Sequence, residues 1–116
     1  MIIPSNKDFS KLCIHTQTTK PWTLEECIIN FASAGVNGIS IWRHLLEGKD
    51  LNKIKLLLDS NRMDVVSLVR GGFFPSVDPK KRLSAIEDNQ LAIEQASALG
   101  APLVVLVCGA EPKQSL

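Results

Sequence analysis

The sequence predicts an α/β fold: a parallel sheet of four strands with three helices between them. Apolar segments of strand length alternate along the chain with longer segments whose apolar residues recur at helical spacing. Successive strands joined by helices of ten residues or more must run parallel, because such a crossover returns the chain to the same end of the sheet. The strands carry nearly continuous apolar runs, which is typical of parallel sheets covered on both faces.

The first unit pairs a strand with a strongly marked helix. Residues 11–18 (KLCIHTQT) alternate into a turn and predict the first strand. Thr23 and Glu26 form a capping box, and Trp22 before the cap is a candidate hydrophobic staple. Gly35 suits the position that ends the helix. The apolar residues at helical spacing between these signals are Leu24, Cys27, Ile28, Phe31 and Ala32.

The second unit begins with a strand over residues 38–42, entered through an Asn-Gly turn. Asp50 can cap the following helix, whose apolar face carries Leu51, Ile54, Leu57 and Leu58. We expect this helix to end near Asn61, because asparagine tolerates the left-handed conformation found at helix ends.

The third unit leads into the last predicted strand. Residues 64–70 (DVVSLVR) predict the third strand, and Asp78 followed by Pro79 marks the start of a helix that Gly100 closes. Residues 103–107 (LVVLV) predict a fourth strand buried on both faces. The same run is an aggregation template if its edge stays unpaired.

Two architectures share this order of elements. One is an open doubly wound sheet, and the other is part of a (β/α)8 barrel. The pattern of strands and helices does not separate them.

Composition and charge exclude several classes of protein. The 116 residues fit one domain or part of one, and 13 basic and 12 acidic residues give a net charge of +1. Without a basic stripe, we expect neither nucleic acid nor membrane as a partner. The N-terminus lacks the pattern of a signal peptide. Three cysteines without CxxC spacing indicate reduced thiols, and therefore a cytoplasmic protein.

Candidate site residues follow the strands, because ligands of both architectures bind at the carboxyl ends of parallel strands. They are His15, Trp42, His44, Arg70 and Cys108, and Arg70 precedes Gly71-Gly72. A dinucleotide or phosphate loop of the GxGxxG or P-loop type is absent from the sequence.

Each of these side chains also has a purely structural interpretation. His15 either orients a substrate hydroxyl or binds a backbone carbonyl. Trp42 either stacks on a sugar ring or packs at the rim of the sheet. His44 is either an acid–base or ligand group or a surface histidine. Arg70 either holds an anion or belongs to an ordinary loop.

A metal site is disfavoured in this chain. Cys13, His15, His44 and Cys108 lack the spacing of structural zinc motifs. Only two carboxylates, Glu47 and Glu111, occur in the loops at the predicted mouth, which is too few for a hard-metal site.

Three segments carry a resemblance to a known family: TLEECIINFASAGVNGISIWRHLLEG, VVSLVRGGFFP and NQLAIEQASALGAPLVVLVCG. The last combines an alanine-rich helix, a Leu-Gly stop and an apolar strand that ends in glycine. From about Leu12 to Gly109 the chain resembles the xylose isomerase-like TIM barrels, the sugar phosphate isomerase/epimerase superfamily.

The resemblance implies the N-terminal half of a (β/α)8 TIM barrel, so that residues 1–116 form a partial domain truncated after strand four. Its substrate would be a small sugar, polyol or keto acid, with Trp42, His44, Arg70 and Cys108 lining the pocket and His15 at the mouth of strand one. The catalytic residues of this chain stay unassigned.

In the family a divalent metal (Mn, Co, Mg or Zn) is held by strands of the second half, which would lie beyond Leu116. The resemblance therefore implies no metal and no catalysis for this chain alone. Cyclase-like and endonuclease-type relatives recruit histidines from early strands, which leaves His44 open as a metal ligand. The alternatives are a non-catalytic half-barrel that binds or oligomerises and a small flavodoxin-like domain. We also expect self-association through exposed sheet edges.

Overall fold

A computed structural model describes residues 8–113. The N-terminal residues 1–7, on which much of the signal-peptide prediction rests, lie outside this range. The strands are β1 (Cys13–His15), β2 (Gly38–Trp42), β3 (Asp64–Gly72) and β4 (Val104–Val107). The helices are α1 (Leu24–Ser33), α2 (Leu51–Ser60) and α3 (Pro79–Leu99), with 3-10 turns at Thr16–Thr19 and Arg43–Leu46.

The four strands form one parallel sheet in the order β1-β2-β3-β4. This order distinguishes the two architectures, because a doubly wound sheet reverses its strand order and a flavodoxin-like sheet places its first strand inside. Here β1 is at an edge, and each later strand pairs with the one before it. Helix α1 packs against α2, and α2 packs against α3. The predicted barrel segment is confirmed, and the flavodoxin-like alternative is wrong.

The core lies between the sheet and the helices. Side chains from both layers are almost completely buried there, among them Leu24, Ile28, Ile39, Ile41, Leu58 and Leu68. Burying one such side chain stabilises the fold by about 1.5–3 kcal/mol. The apolar periodicity correctly predicts the buried faces of α1 and α2. For α3 the expected apolar face (Leu83, Ile86, Ile93, Ala96 and Leu99) is only partly right, because Leu83, Ile86 and Ile93 are exposed.

The opposite face of the sheet carries small polar side chains, contrary to the continuous apolar surface expected. Ser40 and Ser67 are buried, and their hydroxyl oxygens lie 2.6 Å apart. The sulfur of Cys13 extends this row, 3.4 Å from the Ser40 hydroxyl. Because each group in the row has a hydrogen-bonding partner, burial of these polar atoms costs little.

The helix caps form as predicted, with two differences in detail. The Thr23 hydroxyl accepts from the backbone N–H of Glu26, at 3.2 Å. The Glu26 carboxylate binds that hydroxyl instead of the Thr23 N–H, so only half of the capping box is made. The prediction of a left-handed Asn61 is wrong, since its φ is −98°. Arg62, with φ +54°, takes that conformation after α2.

The first and third strands differ in length from the prediction. Strand β1 stops at His15, because a 3-10 turn begins at Thr16. The Thr16 hydroxyl accepts a 3.1 Å hydrogen bond from the backbone N–H of Trp42. Strand β3 is two residues longer, since Gly71 and Gly72 pair with β4 instead of forming a loop.

Strand β4 is exposed, and the prediction that it is buried on both faces is wrong. Leu103 is 57% exposed, Val105 40% and Leu106 55%. The reason is that β4 is an edge of the sheet, and within residues 8–113 no further strand pairs with it. No helix in the same part of the chain is long and apolar enough to cross a membrane.

Candidate functional site

A pocket of about 460 Å³ lies where the ends of β2 and β3 meet helix α3. Strand ends, the turn after β2 and one face of α3 together form its wall, in agreement with ligand binding at the carboxyl ends of parallel strands. Its lining residues are Gln17, Trp42, Arg43, His44, Glu47, Val69, Arg70, Phe73, Asp88, Leu91 and Gln95.

Three of the five predicted site residues, Trp42, His44 and Arg70, line this pocket. His15 lies beside it, because its Nδ1 accepts a 3.3 Å hydrogen bond from the indole Nε1 of Trp42. Cys108 is exposed and does not belong to the lining. The structure therefore brings four of the five predicted residues together and leaves Cys108 apart.

Trp42 and His44 flank one side of the pocket. Their rings meet edge to face, with centroids 6.4 Å apart and planes inclined by 70°. Trp42 ends β2 and His44 lies in the 3-10 turn that follows, so a tight turn places both rings at the same mouth. With an apolar face and polar ring edges, the pair can contact both the carbons and the hydroxyl groups of a small ligand.

The two carboxylates predicted at the mouth have different surroundings. Glu47 lines the pocket. Glu111 instead accepts hydrogen bonds within its own loop, from the backbone N–H groups of Lys113 at 3.0 Å and Val77 at 3.2 Å. These N–H groups hold the pKa of the exposed Glu111 carboxyl below its ordinary value. Only Glu47 offers its carboxylate to a ligand in the pocket.

Arg43 connects the turn after β2 to helix α3, and sequence reasoning missed it. Its guanidinium makes a bidentate pair with Asp88, with both N···O distances 3.0 Å. It also donates to Gln95 Oε1 at 2.7 Å and to the backbone carbonyl of Arg70 at 3.1 Å. The Arg43 side chain is only 13% exposed. All its donor groups therefore serve the protein, and Arg43 fixes the wall of the pocket.

The charge on Asp88 is maintained by this contact. The hydrogen bonds from Arg43 hold the pKa of the Asp88 carboxyl below its ordinary value; partial burial opposes this lowering, and the charge of Arg43 adds to it. At neutral pH the two charges neutralise each other. Asp88 is therefore a positioning group for Arg43 and is not available as a free base.

Asn89, the next residue of α3, holds the end of β3. Its Oδ1 accepts from the Gly72 N–H at 2.6 Å, and its Nδ2 donates to the Gly72 carbonyl at 2.9 Å. A β-carbon at Gly71 would collide with this amide oxygen, and one at Gly72 would collide with the Val107 backbone. The two glycines are thus needed for close packing within β3, and the prediction of an ordinary loop after Arg70 is wrong.

One missed residue did have a signal in the sequence. Asn89 shares a helical face with the buried Ala92 and Ala96, three and seven residues further on. A polar residue on such a face needs a partner inside the protein. Arg43 had no comparable signal, because its partner Asp88 is 45 residues away.

The side chains present do not fit a divalent metal ion. Within residues 8–113 no three His, Cys, Asp or Glu side chains are grouped to hold one. Of the pocket's donors, Asp88 gives both its oxygens to Arg43, and neighbouring His15 gives Nδ1 to Trp42. His44 and Glu47 remain, and two ligands are fewer than the three protein ligands of a catalytic zinc ion and the six positions around an octahedral Mg²⁺ ion.

Neither protein-family models nor curated proteins gave a match to this chain. Solved structures did match. Protein SMc04130 from Sinorhizobium meliloti 1021 superposes with a TM-score of 0.82 at 32% identity, over 90% of this chain and 38% of that one.

Two further solved structures share the fold. A xylose isomerase-like TIM barrel/4-hydroxyphenylpyruvate dioxygenase fusion protein has a TM-score of 0.70 and 17% identity, over 81% of this chain and 15% of that one. A xylose isomerase domain containing protein from Salmonella typhimurium LT2 has a TM-score of 0.72 and 15% identity, over 94% and 39%.

The strand order and these matches define the class: the chain has the fold of part of a (β/α)8 barrel, with four of the eight strands. More narrowly, its fold is that of the xylose isomerase-like TIM barrels, as the resemblance predicted. The chain spans less than two fifths of each matched structure.

Proposed function

We propose that this chain is the substrate-binding half of an enzyme that moves a proton on a small sugar, polyol or keto acid. The observation that supports this most is the pocket at the carboxyl ends of β2 and β3, where Trp42, His44, Arg70 and Glu47 meet. An indole face for carbons, with charged and polar groups for oxygen atoms, is the combination that a small hydroxylated ligand needs.

The residues of this chain would bind and orient the substrate. Trp42 would contact the carbon chain, while His44 and Glu47 would hydrogen-bond to hydroxyl groups. The Arg43–Asp88 pair would keep the wall fixed, so that the substrate is held in one orientation. We assign the divalent metal implied by the family resemblance to residues outside this chain. Its three free cysteines support a reducing, cytoplasmic environment.

The binding half of the proposal is tested by NMR titration of the chain with small sugars, polyols and keto acids. At least one compound is expected to shift the indole N–H signal of Trp42 and leave that of Trp22, which is not in the pocket, unchanged. Trp42→Ala should abolish binding with little loss of folding. A loss of about 3–5 kcal/mol in unfolding free energy would instead assign Trp42 to packing.

The catalytic half requires the rest of a barrel. We would co-express the chain with the unmatched remainder of the Sinorhizobium meliloti protein. The assay follows exchange of the carbon-bound hydrogens of the same sugars, polyols and keto acids in deuterated water. Exchange that depends on both polypeptides is expected. Exchange by the remainder alone, at an equal rate, would contradict a substrate-binding role for this chain.

A second candidate is a non-catalytic half-barrel that binds or oligomerises. The exposed apolar edge strand β4 favours it, because such an edge can pair with another strand. Self-association with no response of Trp42 to any ligand would support this candidate over the enzyme.

A further inference from the structure

Helix α3 has two flanks, and within residues 8–113 only one of them is covered. The covered flank carries Asp88 and Gln95, which bind Arg43, and it packs against α2. The other flank consists of residues spaced by three or four, which therefore share a helix face: Ile86, Gln90, Ile93 and Ser97. Ile86 is 47% exposed and Ile93 is 63% exposed. An uncharged flank with large apolar residues over three turns is typical of a surface that packs against another helix.

This open flank continues into a groove of about 500 Å³ between the end of α3 and the start of β4. Ile93 lines the groove from the helix, and Leu103, which is 57% exposed, lines it from the residue before β4. Of the lining residues that the structure describes, all except Ser97 have apolar side chains. The groove therefore lacks the converging polar groups that orient a small ligand, and its surface suits the apolar side chains of a helix.

The strand–helix units of this chain indicate what such a surface contacts. Helix α2 packs against α1, and α3 packs against α2. Each strand pairs in parallel with the strand before it. Each unit therefore covers the helix flank and the strand edge that the unit before it leaves open. Because α3 and β4 leave open a flank and an edge of the same kind, the matching partner is a helix followed by a strand parallel to β4.

We infer that the flank from Ile86 to Ser97, together with the groove, docks an amphipathic helix of the polypeptide that supplies the remaining strands of the barrel. The inference rests on the half-barrel role proposed above. This chain covers 38% of the Sinorhizobium meliloti protein, so most of that protein is available to supply the helix. A second copy of this chain fits less well, since α1 and α2 each expose one large apolar residue, Ile29 and Leu56.

The test is co-purification of two polypeptides. This chain carries an affinity tag and is co-expressed with the unmatched remainder of the Sinorhizobium meliloti protein. We expect the tagged chain to retain the remainder in a one-to-one ratio. Retention should be the same in low and high salt, because the docking surface carries no charge for salt to screen. In the complex, the methyl NMR signals of Ile86 and Ile93 should shift.

Two variants separate the docking surface from a general effect of added charge. Ile93→Lys places a charge in the middle of the open flank and should reduce the recovered remainder about tenfold, because the ammonium group would be buried without a partner. Leu56→Lys adds the same charge at a site 69% exposed on α2 and should leave recovery unchanged. Since both sites are exposed, both variants should keep the far-UV circular dichroism of the wild type.

Four outcomes decide the inference. It is overturned if the wild-type chain does not retain the remainder, or if Ile93→Lys retains it as well as the wild type does, because the contact would then involve the β4 edge alone. A dimer of this chain that Ile93→Lys dissociates, with no binding of the remainder, would assign the flank to a contact between copies and overturn the inference. A complex that depends on Ile93 but exchanges no carbon-bound hydrogen would support the docking surface and contradict the proposed function.

Discussion

Replacing Asn89 with alanine should destabilise the fold by about 3 kcal/mol, although the residue touches no ligand. Asn89 is 8% exposed and gives Gly72 a hydrogen bond to each of its backbone polar groups. Gly72 is itself buried. Without Asn89 its N–H and carbonyl lose these partners, at about 1–3 kcal/mol for each unsatisfied group. The better helix propensity of alanine offsets about 0.5 kcal/mol.

The assay is urea unfolding followed by far-UV circular dichroism, with amide hydrogen exchange of Gly72 as a local readout. Gln90→Ala is the matched control, because Gln90 is the next residue of α3 and is exposed. We expect the control to change the unfolding free energy by less than about 0.5 kcal/mol. Exchange at Gly72 should accelerate in Asn89→Ala only.

Agreement of the two variants within about 0.5 kcal/mol would refute the reasoning. It would mean that water replaces the amide of Asn89 at no cost, so that α3 is not fastened to the end of β3. A loss of stability without faster exchange at Gly72 would also contradict it, because the cost would then arise elsewhere.

Two further predictions concern the ion pair and the sheet edge. Asp88→Asn should lower stability at neutral pH, because contact with Arg43 lowers the pKa of Asp88 in the folded protein. The ion pair therefore stabilises the fold above the unfolded-state pKa of Asp88, and this stabilisation is lost as the pH falls through the folded-state pKa. Urea midpoints should therefore differ at neutral pH and converge in acid, and a difference independent of pH would contradict this. Sedimentation velocity should show that the chain is a dimer or larger and that Leu106→Lys shifts it towards monomer. Leu56→Lys, at a site 69% exposed on α2, should not, and a monomeric wild type would refute the prediction.

The elements that the sequence predicts well are those that local signals specify. The caps at Thr23, Asp50 and Asp78 each accept from a backbone N–H two or three residues further on. Strand β2 has its predicted bounds. In these places one short segment contains both partners of the interaction, so the pattern is sufficient.

The parts that the sequence does not predict depend on distant partners. Strand β1 ends early because the hydroxyl of Thr16 binds Trp42, 26 residues away. The exposure of β4 depends on which strand lies beside it. In the candidate site, ring and charged residues at strand ends were predicted by position, whereas the contacts of Arg43 join segments that are remote in sequence.

Arg70 is the extra residue of a bulge in β3, so this pocket residue can be gained or lost without a change in the pairing of the sheet. Arg70 has no partner on β4, while Val69 and Gly71 pair on either side of it. A gene that gains or loses this one codon gains or loses the guanidinium, and the neighbouring strand residues keep their partners and faces. A single insertion or deletion at this position can therefore change the charge at the pocket, whereas the buried residues that hold the fold together stay the same.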